Sequence, residues 1–102
     1  MFIKKKIKIQ NSQGLHARPA SIFVRIANKF ESEVTVKKGA ERVNGKSIMG
    51  LLVLAASQGS VIEIEASGPD AGQAIKELEH FLMHDPEDDG TRTKDEKGGL
   101  TG

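Results

Sequence analysis

Apolar and polar residues alternate with a period of two over residues 2–9, setting Ile3, Ile7 and Ile9 on one face and Lys4, Lys6 and Lys8 on the other. Lys5 interrupts the apolar face, but the period still predicts a strand with one wet side. Four lysines along it would discourage edge-to-edge pairing. The period then changes. Over residues 17–29, continued by Phe30, the residues Ala20, Phe23, Val24 and Ala27 recur at three- and four-residue steps, with Ile22 and Ile26 beside them. That spacing predicts a helix with a wide apolar stripe. Glu33–Lys37 is a short β-rich run, Lys38-Gly39-Ala40 reads as a turn, and Glu41–Asn44 as the partner strand of a hairpin.

Asn44-Gly45 marks a second turn, after which Ser47–Leu54 is apolar almost throughout. Ser47 suits the N-cap of a short helix there. Ser57-Gln58-Gly59-Ser60 is a loop, and Val61, Glu63 and Glu65 then alternate with Ile62, Ile64 and Ala66 as in a half-buried strand. Ser67-Gly68-Pro69-Asp70 signals a helix start, and Ala71, Ala74, Ile75, Leu78, Phe81 and Leu82 form one amphipathic stripe. The order is β-α-β-β-α-β-α. Strands with one polar face and helices with one apolar face predict an α+β, two-layer open sandwich, its helices on a single side of the sheet. From Asp85 the chain turns to Pro, Gly, Thr and charged residues, with only Leu100 apolar. Residues 1–84 are expected to form the domain, and 85–102 a disordered tail that cannot offset its ordering entropy.

Composition narrows the function. The chain of 102 residues is 37% hydrophobic and has four Phe but no Trp or Tyr, so one small aliphatic core is expected. Its 15 basic and 14 acidic residues are mixed along the chain for a net charge of +1, which argues against nucleic-acid binding through a broad basic field. Cysteine is absent, which excludes a disulfide scaffold and thiolate metal sites. No apolar run approaches the roughly 20 residues of a membrane span. The start, Met-Phe-Ile-Lys-Lys-Lys, lacks the apolar core of a signal peptide. A soluble, cytoplasmic monomer without membrane insertion is expected.

The chemistry concentrates in Gly14-Leu15-His16-Ala17-Arg18-Pro19-Ala20. Gly14 permits a sharp turn with positive φ. His16 falls about where an N-cap belongs, and Pro19 is tolerated in a first turn, where its missing N–H has no intrahelical partner. The N–H groups of Ala17 and Arg18 then remain free at the positive end of the helix dipole, a ready anion site. An imidazole there, with a guanidinium two residues on, suits a group that holds phosphate briefly on nitrogen and releases it. His80 and His84 lie four apart, a spacing that can grip a metal. With no third ligand beside them they read as cations near a helix C-terminus, and neither metal nor cofactor is expected.

The run from Gly14 to Ala20 resembles the active-site motif of the HPr family, the histidine-containing phosphocarriers of the bacterial phosphoenolpyruvate–sugar phosphotransferase system. Asn44-Gly45-Lys46-Ser47-Ile48-Met49-Gly50-Leu51 resembles that family's regulatory-serine motif. The resemblance covers residues 1–84 and implies a four-stranded antiparallel sheet in the order 1-4-2-3 with three helices on one face. It implies that His16 accepts a phosphoryl group on Nδ1 from enzyme I and passes it to sugar-specific IIA components, so that the protein is a carrier and not an enzyme. It also implies that Arg18 contacts the phosphoryl oxygens and that Ser47 is the target of HPr kinase/phosphorylase, with a transcriptional regulator as a further partner. Ala20, Ile48, Met49 and Leu52 would supply the docking patch.

Two other readings compete. A paralogue serving a nitrogen-related phosphorelay would share the fold, although Ile48-Met49-Gly50 leans towards the sugar-system form. A small α+β interaction or RNA-binding module would carry aromatics on its sheet face; none of the four Phe falls in the middle strands.

Overall fold

The computed structural model describes residues 1–84; the tail expected to be disordered, 85–102, lies outside the described residues. The elements are β1 (Phe2–Lys8), α1 (Ala17–Ala27), β2 (Glu33–Lys38), β3 (Glu41–Asn44), α2 (Ile48–Leu54), β4 (Val61–Ser67) and α3 (Ala71–Met83). All pairings are antiparallel and the strand order is β1-β4-β2-β3, as the family resemblance implied. Three helices cover one face of this sheet, and the other face is open.

The alternation seen in the sequence becomes the two faces of the sheet. Ile7 lies opposite Ile62, and Val36 opposite Ile64, and all four side chains are buried. Phe23, Val24 and Ala27 of α1 and Ala74, Leu78 and Leu82 of α3 close over them. Small residues at Ala66, Ala71 and Ala74, each 0% exposed, let α3 approach the strands closely. The sheet's outer face is polar, and Glu65 is buried there only because Arg42 donates to it at 3.1 Å and Lys37 at 3.5 Å.

Lys5, the interruption in the first apolar face, has a physical account. It points to the helical side at the margin of an edge strand, and its ammonium reaches Glu79 of α3 at 2.8 Å. An inward charge on an edge strand costs little where it still meets water and a carboxylate.

Helix α1 differs from expectation at its C-terminal end. Helix α1 ends at Ala27 and not residue 29, because Lys29 and Phe30 donate to Ile26 and Ala27 and so tighten the last turn to three-residue bonds. Asp70 precedes α3 as expected, but its carboxylate makes no bond to its own helix. It accepts instead from the N–H groups of Glu31 and Ser32, both at 3.0 Å, and from the Ser32 hydroxyl. Those bonds hold Asp70 below the ordinary carboxylate range, the Ser32 hydroxyl contributing most. The start of α3 is thereby tied to the exit of α1. Lys29 reaches Glu77 at 2.8 Å farther along, so α1 and α3 run antiparallel.

Candidate functional site

The loop between β1 and α1 is stitched on two sides before it reaches His16. Ile9 exchanges backbone bonds of 2.9 Å with Ser60 and Gly59 of the loop before β4, and the N–H groups of Gln10 and Asn11 donate to the Leu82 carbonyl at the end of α3. Gly14 follows with φ +62°, and a Cβ there would lie 2.7 Å from the Ala56 oxygen and 2.8 Å from the Ser57 Cα. Only glycine fits both the dihedral and the contact. Leu15 then donates to the Ala56 carbonyl at 2.7 Å and is fully buried. His16 follows directly on this anchored segment.

His16 is the N-cap of α1 with extended backbone, φ −83° and ψ −168°. Its carbonyl accepts the first helical bond, from Ala20 at 2.7 Å, but its ring caps nothing and is exposed. The Ala17 and Arg18 N–H groups lie outside the helix's own ladder, and Pro19 has none to satisfy. The first turn carries no acidic side chain. The Arg18 side chain is exposed and has no hydrogen bond or ion pair with any described residue. An exposed imidazole, two backbone donors and the positive end of a helix thus meet at one entrance, with Arg18 exposed in the first turn.

Helix α2 is set beside this entrance. Ser47 is its N-cap, its hydroxyl oxygen accepting from the Gly50 N–H at 3.0 Å. Asn44 and Gly45 make the turn that delivers it: the Gly45 N–H donates to Val34 at 2.7 Å, and the Asn44 side chain accepts from the Lys46 N–H at 2.8 Å. At the far end Ala55 takes the left-handed conformation at φ +54°, and the next residue supplies the carbonyl that holds Leu15. The exit of α2 therefore fixes the approach to His16, and α1 packs on α2.

The apolar run of α2 splits into two faces. Leu51 and Leu54 are buried, whereas Ile48, Met49, Leu52 and Val53 are 41, 71, 36 and 68% exposed. Ile48, Met49 and Leu52 thus stand on the surface where the family resemblance set them. Ala20 does not: it is 0% exposed, turned inward on the stripe it shares with Phe23, Val24 and Ala27, and offers no surface to a partner. Val53 joins the exposed face and was missed by sequence reading. The signal was present, since 49, 52 and 53 share one helical face opposite 51 and 54. Asn11 was missed too; it is 1% exposed within the loop, and its carboxamide has no hydrogen-bond partner among the described residues.

Among the described residues no group of three or more metal-ligating side chains occurs, and no helix is long and apolar enough to cross a membrane. A family profile described as PTS HPr component phosphorylation site matches residues 3–84. The phosphocarrier protein HPr of Neisseria meningitidis is 51% identical over 81 residues, 79% of this chain and 91% of that protein. The HPr-like protein Crh of Bacillus subtilis is 39% identical over 84 residues, 82% of this chain and 99% of Crh. Among solved structures, an HPr from Bacillus anthracis superposes with a TM-score of 0.78 at 38% identity, covering 79% of this chain and 96% of the other. A solved HPr from Thermoanaerobacter tengcongensis and one of Crh are described as dimers. With the profile spanning nearly the whole described fold, the chain belongs to the HPr family of phosphotransferase-system phosphocarriers.

Proposed function

We propose that this protein is a cytoplasmic phosphoryl carrier that accepts phosphate on His16 from phosphorylated enzyme I and delivers it to IIA components. The observation that carries the reading is the uncapped, exposed His16 ring at a helix entrance whose donors are unspent. In the first transfer the lone pair of His16 Nδ1 attacks phosphorus as the P–N bond to the enzyme I histidine breaks; in the second a histidine of the IIA component attacks, and the P–N bond to His16 breaks and returns its lone pair to Nδ1. No covalent work on a further substrate is required, so positioning and charge compensation account for the protein's part. The phosphoryl group adds about −1.5 to −2 charge. The Ala17 and Arg18 N–H groups and the Arg18 guanidinium offset that charge by hydrogen bonds that remain open to solvent and so release as readily as they form.

Ile48, Met49, Leu52 and Val53 form the apolar surface on which partners dock. Ser47, at the margin of that surface, is the regulatory phosphorylation site for a kinase/phosphorylase. A phosphate there acts by setting negative charge beside the docking face. The presence of His16 favours a carrier over a purely regulatory relative, since the regulatory role needs only the serine.

Incubation with phosphoenolpyruvate and enzyme I is expected to label one acid-labile, base-stable site. His16→Ala should abolish the label while circular dichroism and melting temperature stay as in the parent. A label that survives this substitution removes His16 from the mechanism.

A further inference from the structure

Two imidazoles stand together at the C-terminal end of α3, apart from the surface assigned above. His80 and His84 are both exposed, one turn apart, with ring centroids 4.3 Å from each other and planes tilted by 35°. His84 is the C-cap of the helix, and its Nδ1 lies 2.8 Å from the His80 carbonyl oxygen. A carbonyl only accepts, so this Nδ1 carries the proton and the lone pair of a neutral His84 resides on Nε2. That is the arrangement metal-ligating histidines adopt, one ring nitrogen on the ion and the other donating to a backbone carbonyl. A ring bound through nitrogen at about 2.0–2.1 Å has its centre about 3 Å from the ion, so two rings on one ion have centres within about 6 Å of each other. The observed spacing lies inside that span.

We propose that His80 and His84 form a two-histidine site for a zinc-class divalent cation, with water completing its coordination. Imidazole nitrogen selects zinc, nickel or copper over magnesium and calcium, which take oxygen ligands. The charged groups sharing the groove beside His80 are Lys29, Lys76 and Glu77, and Glu77 already engages Lys29 at 2.8 Å. Lys76 is left as the nearby cation, which keeps affinity below that of a three-ligand centre. Ligation clamps the last turn of α3. That turn carries the Leu82 carbonyl, which holds the N–H groups of Gln10 and Asn11 at 3.0 and 3.2 Å and so supports the loop leading to His16. The site stands whether or not His16 carries phosphate.

The test is a titration of the full chain with zinc chloride near pH 7.5, following the ring proton signals of His16, His80 and His84 by NMR. His80 and His84 are expected to shift together, at zinc concentrations at least tenfold below those that move the solitary His16. His80→Gln or His84→Gln should each raise the concentration needed by the remaining histidine to that of His16. Zinc in excess should raise the melting temperature of the parent by a few degrees and leave both variants unmoved. Three histidines titrating in parallel, or a His80 response indifferent to His84→Gln, overturns the proposal.

Discussion

Arg18 and Ser47 show how much a single side chain decides here. Charge-assisted hydrogen bonds contribute about 1.5–3 kcal/mol, so Arg18→Ala is expected to slow transfer from enzyme I by about ten- to a hundredfold. Rapid-quench kinetics would check this; an unchanged rate would make the guanidinium a bystander. Because the Arg18 side chain makes no hydrogen bond or ion pair with a described residue, its loss should leave the melting temperature alone. Ser47 is different, since its hydroxyl already caps α2 through Gly50. Ser47→Ala should cost about 1 kcal/mol of stability in a urea melt, the usual worth of an N-cap. Ser47→Asp keeps an oxygen for the cap while adding charge, so it should retain most of that stability and yet weaken phosphorylation by enzyme I. Equal rates for Ser47→Asp and the parent would remove negative charge as the means of control.

At the scale of the element, the site is the product of α2 and the β1–α1 loop acting on each other. A short helix whose apolar residues occupy every side cannot bury them all, and the two-residue split between Leu51/Leu54 and Met49/Val53 settles which are spent on the core. Met49→Ser with Val53→Ser is therefore expected to slow transfer from enzyme I about tenfold while labelling by the small donor phosphoramidate proceeds as before. Equal slowing with both donors would place the fault at His16 and not at docking. Gly14 belongs to the same scale. Gly14→Ala meets both the strain of φ +62° and the Ala56 oxygen, so it should destabilise by at least about 1–2 kcal/mol and slow labelling with either donor.

For the whole molecule, the tie between Asp70 and the Glu31–Ser32 backbone links the end of α1, the start of β2 and the start of α3. Hydrogen bonds to the ionised form lower the native pKa of Asp70, so its contribution is present above the ordinary carboxylate range. It is lost as pH falls through that lowered value. Glu77, lowered first by its bond from Lys29 and then by Gln73, acts with the same sign. Calorimetry of Asp70→Asn should show a lower melting temperature than the parent at neutral pH, with the two curves converging as pH drops below about 4. A constant gap across that range would mean that the carboxylate's ionisation plays no part.

Much of this was legible beforehand. The six apolar positions from Ala71 to Leu82 are all buried, because a 3.6-residue period and a stripe of one width leave a helix a single way to face a sheet. Gly14, His16 and Pro19 likewise announced a helix entrance, since each acts through its own backbone or its nearest neighbours. What depends on residues far apart in the chain was not legible. The strand order came only from family likeness, Ala20 proved to be core, Val53 surface, and the Asp70 carboxylate a brace for a distant turn. The pattern of side chains by itself determined the elements and placed a histidine at the mouth of a helix, because periodicity and capping are local. The tertiary structure alone decided what holds that histidine in place and which apolar side chains of α2 stay exposed. Both depend on the Ala56 and Leu82 carbonyls meeting a loop more than 40 residues away in sequence, and only the assembled packing brings them there.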